Sequence, residues 1–156
     1  MPSAPAFEIQ PDAKFEVTFA TDKGDIVMEL DPKLAPNTVN NFVALARQGY
    51  YDGLTFHRVV PDFVIQGGCP EGTGTGGPGY KFADEPVRAP YVLGAVAMAN
   101  AGPDTNGSQF FVCIDDCTRK LDKAYNLFGY VTDGIDVALA TQVGDTMQSV
   151  TIEEQG

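Results

Sequence analysis

The stretch from Leu54 to Gly68 contains the residues of this chain that are best suited to chemistry. It holds the only histidine, His57, together with Arg58 and Gln66, among residues that are otherwise mostly apolar. A guanidinium is a permanent hydrogen-bond donor and a glutamine amide both donates and accepts, so the pair suits a polar but uncharged group. Two apolar runs separated by Pro61-Asp62 predict a β-hairpin that carries both side chains.

The faces of that hairpin follow from the alternation of side chains along a strand. We expect Val64 and Gln66 on one face, and Phe63 and Ile65 on the other. His57 lacks the partners of a general base, because the sequence points to neither a nucleophile nor an orienting carboxylate. We therefore expect a hydrogen-bonded histidine that stiffens the base of a site.

Other motifs are weaker. The segment from Gly72 to Gly77 matches the glycine pattern of dinucleotide binding, but Pro78 and Gly79 follow it where that motif needs a helix, so we expect a flexible loop. Cys113 and Cys117 could suggest a metal, but with only one further cysteine and one histidine a closed zinc site is hard to assemble. We expect no metal and no cofactor.

Composition limits the class of protein. The 156 residues suit one domain, and 44% hydrophobic and 20% charged residues are typical of a globular chain. A net charge of −11 disfavours nucleic acid and anionic lipid as partners. An odd number of cysteines, no apolar run long enough to span a bilayer and no signal-peptide pattern in residues 1–10 predict a cytoplasmic protein.

The order of elements predicts the fold class. Alternating apolar residues from Phe15 and a turn at Asp22-Lys23-Gly24 predict a hairpin, and Val39, Phe42, Val43 and Ala46 share one face of a helix. About eight strands and two helices follow in all. We expect a mainly all-β protein, a closed eight-stranded antiparallel β-barrel capped by two α-helices, because closure removes exposed sheet edges. Residues 1–13 would be a loosely ordered lead-in to a domain at 14–156.

The sequence lacks the residues that hydrolysis, phosphoryl transfer, redox or metal chemistry require, but its residues suit rotation about an X–Pro peptide bond. Two long blocks then carry a resemblance to the cyclophilins, which are peptidyl-prolyl cis-trans isomerases. They are residues 56–68, FHRVVPDFVIQGG, and residues 98–111, MANAGPDTNGSQFF. The resemblance covers about residues 15–152 and implies a cyclophilin-like barrel, isomerase activity, and proline-containing peptides and unfolded proteins as partners.

The resemblance also implies a set of site residues, each at a position matching a family motif. The catalytic positions are Arg58, Phe63, Gln66, Asn100, Phe111, Leu121 and Tyr125. The substrate-binding positions are Val64, Gly74, Ala99, Ala101, Ser108, Gln109 and Lys120, of which Ala101 and Ser108 fall at a second, shallower pocket.

Three positions depart from common members of the family. Val64 replaces a methionine, Tyr125 replaces a histidine that bacterial members also lack, and Lys120 replaces a tryptophan that contributes to cyclosporin binding. The resemblance therefore predicts activity with weak binding of cyclosporin A, in a protein that we expect to be a monomer. The alternative is a non-enzymatic module or holdase that binds proline-containing segments in the same groove.

Overall fold

The computed structural model describes residues 5–155, in which eight strands form one antiparallel sheet and two helices pack beside it. The elements in chain order are β1 (Lys14–Thr21), β2 (Gly24–Leu30), α1 (Pro36–Arg47), β3 (Arg58–Val60), β4 (Val64–Gly67), β5 (Ala95–Met98), β6 (Phe110–Cys113), β7 (Leu127–Asp133), α2 (Ile135–Ala140) and β8 (Met147–Gln155). The strands follow the spatial order β3-β4-β6-β5-β7-β2-β1-β8.

The sheet is an open half-barrel, so the predicted closed barrel is wrong. Strands β3 and β8 lie at its two ends and do not pair with each other. The segment before β3 instead meets the chain around the start of β8. Thr55 and Thr146 form one isolated bridge, the Phe56 N–H donates to the Asp145 carbonyl at 2.9 Å, and Met147 makes backbone hydrogen bonds with Gly53 and Leu54, both at 2.7 Å. Strand β3 is three residues long and begins only after this contact, so no ladder joins it to β8.

The elements near the N-terminus form where the local pattern places them. Phe15, Val17 and Phe19 are fully buried, and β1 turns into β2 at Gly24, whose φ of 130° favours glycine. Helix α1 begins with proline at its first position and buries its predicted apolar face. The ring of Phe42 lies 4.7 Å from that of Tyr51 and 5.6 Å from that of Phe110, so the helix packs on the face of the sheet that carries Phe110.

The lead-in contacts α1 along the part that the structure describes. Asn40 accepts hydrogen bonds from the N–H groups of Glu8 and Ile9 at 3.0 and 3.4 Å and donates to the Ala6 carbonyl at 3.0 Å. Ile9 and Ala13 are buried. Residues 1–4 of the predicted lead-in lie outside the described residues, and the predicted domain boundary stays a prediction.

Two apolar clusters lie on opposite faces of the central strands. Ile65 and Val112 belong to the larger cluster, which faces α1, whereas Val64 and Phe111 belong to the smaller one. The alternation along β4 and β6 therefore gives the sheet a second apolar face. Within residues 5–155, no helix has the length and apolar character needed to cross a membrane.

Candidate active site

A cavity of about 550 Å³ opens on the smaller apolar cluster. Strands β3 and β4 form one side of it, and the chain after β5 and the segment before β7 form the other. Its lining residues are His57, Arg58, Phe63, Val64, Gln66, Thr73, Gly74, Ala99, Asn100, Phe111, Leu121 and Tyr125.

The polar side of the cavity is a chain of hydrogen bonds that ends at Arg58. Arg58 pairs with Gln66 across β3 and β4, and paired residues of an antiparallel ladder point to the same face. The Arg58 Nη1 donates to Gln66 Oε1 at 3.2 Å, and Gln66 Nε2 donates to Gln109 Oε1 at 3.1 Å. Gln109 Nε2 then donates to the carbonyls of Gly74 and Gly76, both at 2.9 Å. The guanidinium is exposed, yet these bonds orient it from behind.

The apolar side is formed by Phe63, Val64, Phe111 and Leu121, with Tyr125 edge-on to Phe111 at a ring distance of 5.4 Å. The prediction that Phe63 and Val64 point to opposite faces is wrong, because both line the cavity. Phe63 lies in the turn before β4, and the strand alternation begins only at Val64.

Ala99 and Asn100, in the chain after β5, also line the cavity. The Ala99 N–H donates to the Gln109 carbonyl at 3.0 Å, which ties this segment to the residue before β6. Asn100 Nδ2 donates to the Ala124 carbonyl at 2.8 Å, and its Oδ1 accepts the Gly102 N–H at 3.2 Å. The Asn100 side chain therefore fixes the shape of the wall.

Four predicted substrate-binding residues do not line this cavity. Gln109 lies behind Gln66, and Ala101 is exposed beside the cavity. Ser108 is 1% exposed and donates to the Gly68 carbonyl at 2.7 Å, so burial leaves it almost no surface for a substrate. Lys120 is exposed, and its Nζ bonds the Asp62 carbonyl and, at 3.1 Å, Asp115 Oδ2.

Two lining residues were not among the predicted site residues. Thr73 precedes Gly74 in the glycine-rich loop, where no sequence signal marked it. His57 was expected to be hydrogen-bonded, but its Nδ1 is buried without a hydrogen-bond partner among the residues that the structure describes. Burial first, and the charge of Arg58 second, lower the pKa of His57 below its ordinary value of 6.5. The imidazole is therefore neutral near pH 7.

Within residues 5–155, no group of three or more histidine, cysteine, aspartate or glutamate side chains is arranged to hold a metal ion. Cys69, Cys113 and Cys117 are free and buried. No helix follows the glycine-rich loop, since the chain continues without regular structure after Gly77.

Comparison with known proteins decides the family. A family model described as cyclophilin type peptidyl-prolyl cis-trans isomerase matches residues 16–155. This chain belongs to the cyclophilin family. Similar relatives of this cyclophilin include peptidyl-prolyl cis-trans isomerase B of Bacillus subtilis, 50% identical over 85% of this chain and 93% of the relative. A peptidyl-prolyl cis-trans isomerase of Helicobacter pylori is 48% identical over 85% of this chain and 83% of the relative.

Solved structures agree. A crystal structure of a Cryptosporidium parvum cyclophilin type isomerase matches with a TM-score of 0.83 at 31% identity, covering 92% of this chain and 99% of that one. The same protein in the presence of the dipeptide Ala-Pro matches with a TM-score of 0.82 at 33% identity, covering 88% and 98%. The predicted family and isomerase activity are confirmed, and no comparison supports the non-enzymatic alternative.

Proposed function

We propose that this cyclophilin isomerises X–Pro bonds of proline-containing peptides and unfolded proteins with Arg58 as the catalytic donor. The observation that carries the proposal is the Arg58 guanidinium, oriented by Gln66 beside an apolar cavity. The cavity offers a surface for a proline ring on one side and a cation for a polar amide on the other.

The chemistry requires no proton transfer. Resonance holds the planar amide behind a barrier of about 18–20 kcal/mol, and rotation makes the nitrogen pyramidal with a lone pair that the planar form lacks. A hydrogen bond from Arg58 to that nitrogen stabilises the twisted state selectively. A contribution of about 6–7 kcal/mol from this bond and from anchoring of the ring speeds exchange roughly 10⁵-fold.

The other walls hold the substrate during that rotation. Phe63, Phe111 and Leu121 form the apolar surface for the ring, and Ala99 and Asn100 hold the peptide extended; all five residues line the cavity. Support for a proline-containing peptide as the ligand comes from the Cryptosporidium parvum relative, whose structure was determined in the presence of the dipeptide Ala-Pro.

The decisive experiment compares Arg58→Ala with a matched arginine variant. Arg88 is exposed and does not line the cavity, so Arg88→Ala is the control. Exchange spectroscopy on an Ala-Pro peptide should show a rate for Arg58→Ala lower by two to three orders of magnitude, with an unchanged urea unfolding midpoint and an unaffected control. Full activity of Arg58→Ala would remove the proposal, and peptide binding without exchange in the unsubstituted protein would identify a binding module.

Weak cyclosporin A binding belongs to the same proposal. The Lys120 side chain offers no flat aromatic surface, and its ammonium is occupied by Asp62 and Asp115. Calorimetry beside a tryptophan-containing cyclophilin should give an affinity at least tenfold lower for this protein, whereas equal affinities would contradict it. A cytoplasmic location, a role in folding and a monomeric state stay predictions, of which the last is checked by light scattering.

A further inference from the structure

Two segments meet at the rim of the cavity, and each ends in an apolar residue that lines it, Phe63 in one and Leu121 in the other. The turn from Val60 to Phe63 joins β3 to β4, and the segment from Ile114 to Leu121 follows β6. The Phe63 carbonyl accepts the Ile114 N–H at 2.9 Å and the Cys117 thiol at 3.4 Å, while the Leu121 N–H donates to the Cys117 carbonyl at 3.2 Å. The position of Phe63 relative to Leu121 depends on how these segments are held together.

Besides Cys117, a second side chain spans both segments. Lys120 immediately precedes Leu121, and its Nζ donates to the carbonyl of Asp62, which immediately precedes Phe63. The same Nζ donates to Asp115 Oδ2 at 3.1 Å, within its own segment. Lys120 thus connects Asp62, which precedes Phe63, to the segment that carries Leu121. Lys120 itself does not line the cavity.

The group that Lys120 holds has an unusual backbone. Asp62 has a φ of 59°, a left-handed conformation that glycine adopts readily and other residues seldom do. Such a conformation persists only where surrounding contacts determine it. The Phe63 N–H bond to the Val60 carbonyl at 3.1 Å closes the turn from inside, and the lysine ammonium fixes the Asp62 carbonyl from outside.

The other end of the contact is also fixed. Asp115 Oδ1 accepts the N–H of Asp116 at 2.8 Å, and this bond, followed by the bond from Lys120, lowers the pKa of Asp115. The carboxylate is therefore charged at neutral pH, and it directs the lysine side chain toward the turn.

We propose that Lys120 is a positioning residue that sets the separation of Phe63 and Leu121, and through it the affinity of the cavity for the proline ring. The inference rests on the proposed function of the cavity. Because Lys120 contacts neither Arg58 nor Gln66, its effect falls on substrate binding and leaves the chemical step unchanged.

The test uses variants that separate charge and reach from bulk. Lys120→Met keeps most of the side-chain volume without a donor, Lys120→Arg keeps a donor, and Lys123→Met changes a neighbouring exposed lysine as the control. Line-shape analysis of exchange on an Ala-Pro peptide should show KM raised three- to tenfold in Lys120→Met with kcat within twofold. Lys120→Arg should have a KM within twofold of that of the unsubstituted protein. The control Lys123→Met should have the same KM as the unsubstituted protein.

A second variant covers the case in which Lys120→Met does not fold. Asp115→Asn removes the charge that directs the lysine but keeps the Asp62 contact, and it should raise KM two- to threefold. An unchanged KM in the folded Lys120→Met protein, or a fall in kcat alone, would overturn the inference. Since the proposed function is tested by exchange in the unsubstituted protein and in Arg58→Ala, and not by the KM of Lys120→Met, the two failures are distinguishable.

Discussion

Replacement of Gln66 by leucine tests whether the hydrogen bonds behind Arg58 contribute to catalysis. Leucine nearly preserves the volume but removes the acceptor for Arg58 Nη1 at 3.2 Å and the donor to Gln109 Oε1 at 3.1 Å. A hydrogen bond to a charged group contributes about 1.5–3 kcal/mol, and the exposure of Arg58 places this one near the lower end. At about 1.4 kcal/mol per factor of ten, we expect kcat/KM to fall roughly tenfold, and by less than about 100-fold.

The assay is exchange spectroscopy on an Ala-Pro peptide, with Gln48→Leu as the control because Gln48 is an exposed glutamine at the end of α1. Gln109→Leu acts one hydrogen bond further back, so its loss should be smaller. The double variant should lose less than the sum of the two single losses in free energy, since both act through the same guanidinium.

Two results would refute this reasoning. Wild-type activity in Gln66→Leu would show that Arg58 does not depend on its hydrogen bond to Gln66. Additive losses in Gln66→Leu with Gln109→Leu would show that the two glutamines act separately, for example by each contacting the substrate. Urea unfolding of both variants separates either outcome from a loss of stability.

Further predictions concern pH and packing. The rate should be nearly flat between roughly pH 6 and 9, because the proposed rotation requires no proton transfer; a bell centred near neutrality would contradict this. A lowered histidine pKa gives stability that is fully present above pH 6.5 and lost as pH falls, so the unfolding free energy of His57→Gln should depend less on pH below 6.5. Gly129→Ala should destabilise the protein by about 1–3 kcal/mol, because the added Cβ meets the Glu29 carbonyl and lies 2.8 Å from Leu30 Cδ2. Gly77→Ala, which meets nothing within 4 Å, is its control in urea unfolding, and equal midpoints for the two variants would disprove the packing argument.

Features set by neighbours in sequence could be predicted. The β1–β2 hairpin and α1 follow from local periodicity, and the Arg58–Gln66 pair follows from the register of a short hairpin. The open half-barrel could not be predicted in this way, because it depends on how Thr55 and Thr146 approach each other from distant parts of the chain. Alternation alone does not tell how far a sheet curls.

Errors within the candidate site have local physical causes. The predicted orientation of Phe63 was wrong because Asp62 adopts a left-handed conformation, and no glycine in the sequence indicates it. Burial of Ser108 depends on hydrogen bonds to Gly68 and Tyr50, which no motif encodes. The resemblance could align Lys120 with a tryptophan, but it could not show that a longer, charged side chain reaches a neighbouring turn.

The open end of the sheet has a consequence for motion. Arg58 begins an outermost strand with a ladder on one side only, whereas β5 and β6 have ladders on both. Strands with fewer ladder partners open by local fluctuations that cost less than global unfolding. Amide protons of β3 should therefore exchange with deuterium sooner than those of β6, and the cation that we propose as the catalytic donor would lie on the part of the sheet that opens first.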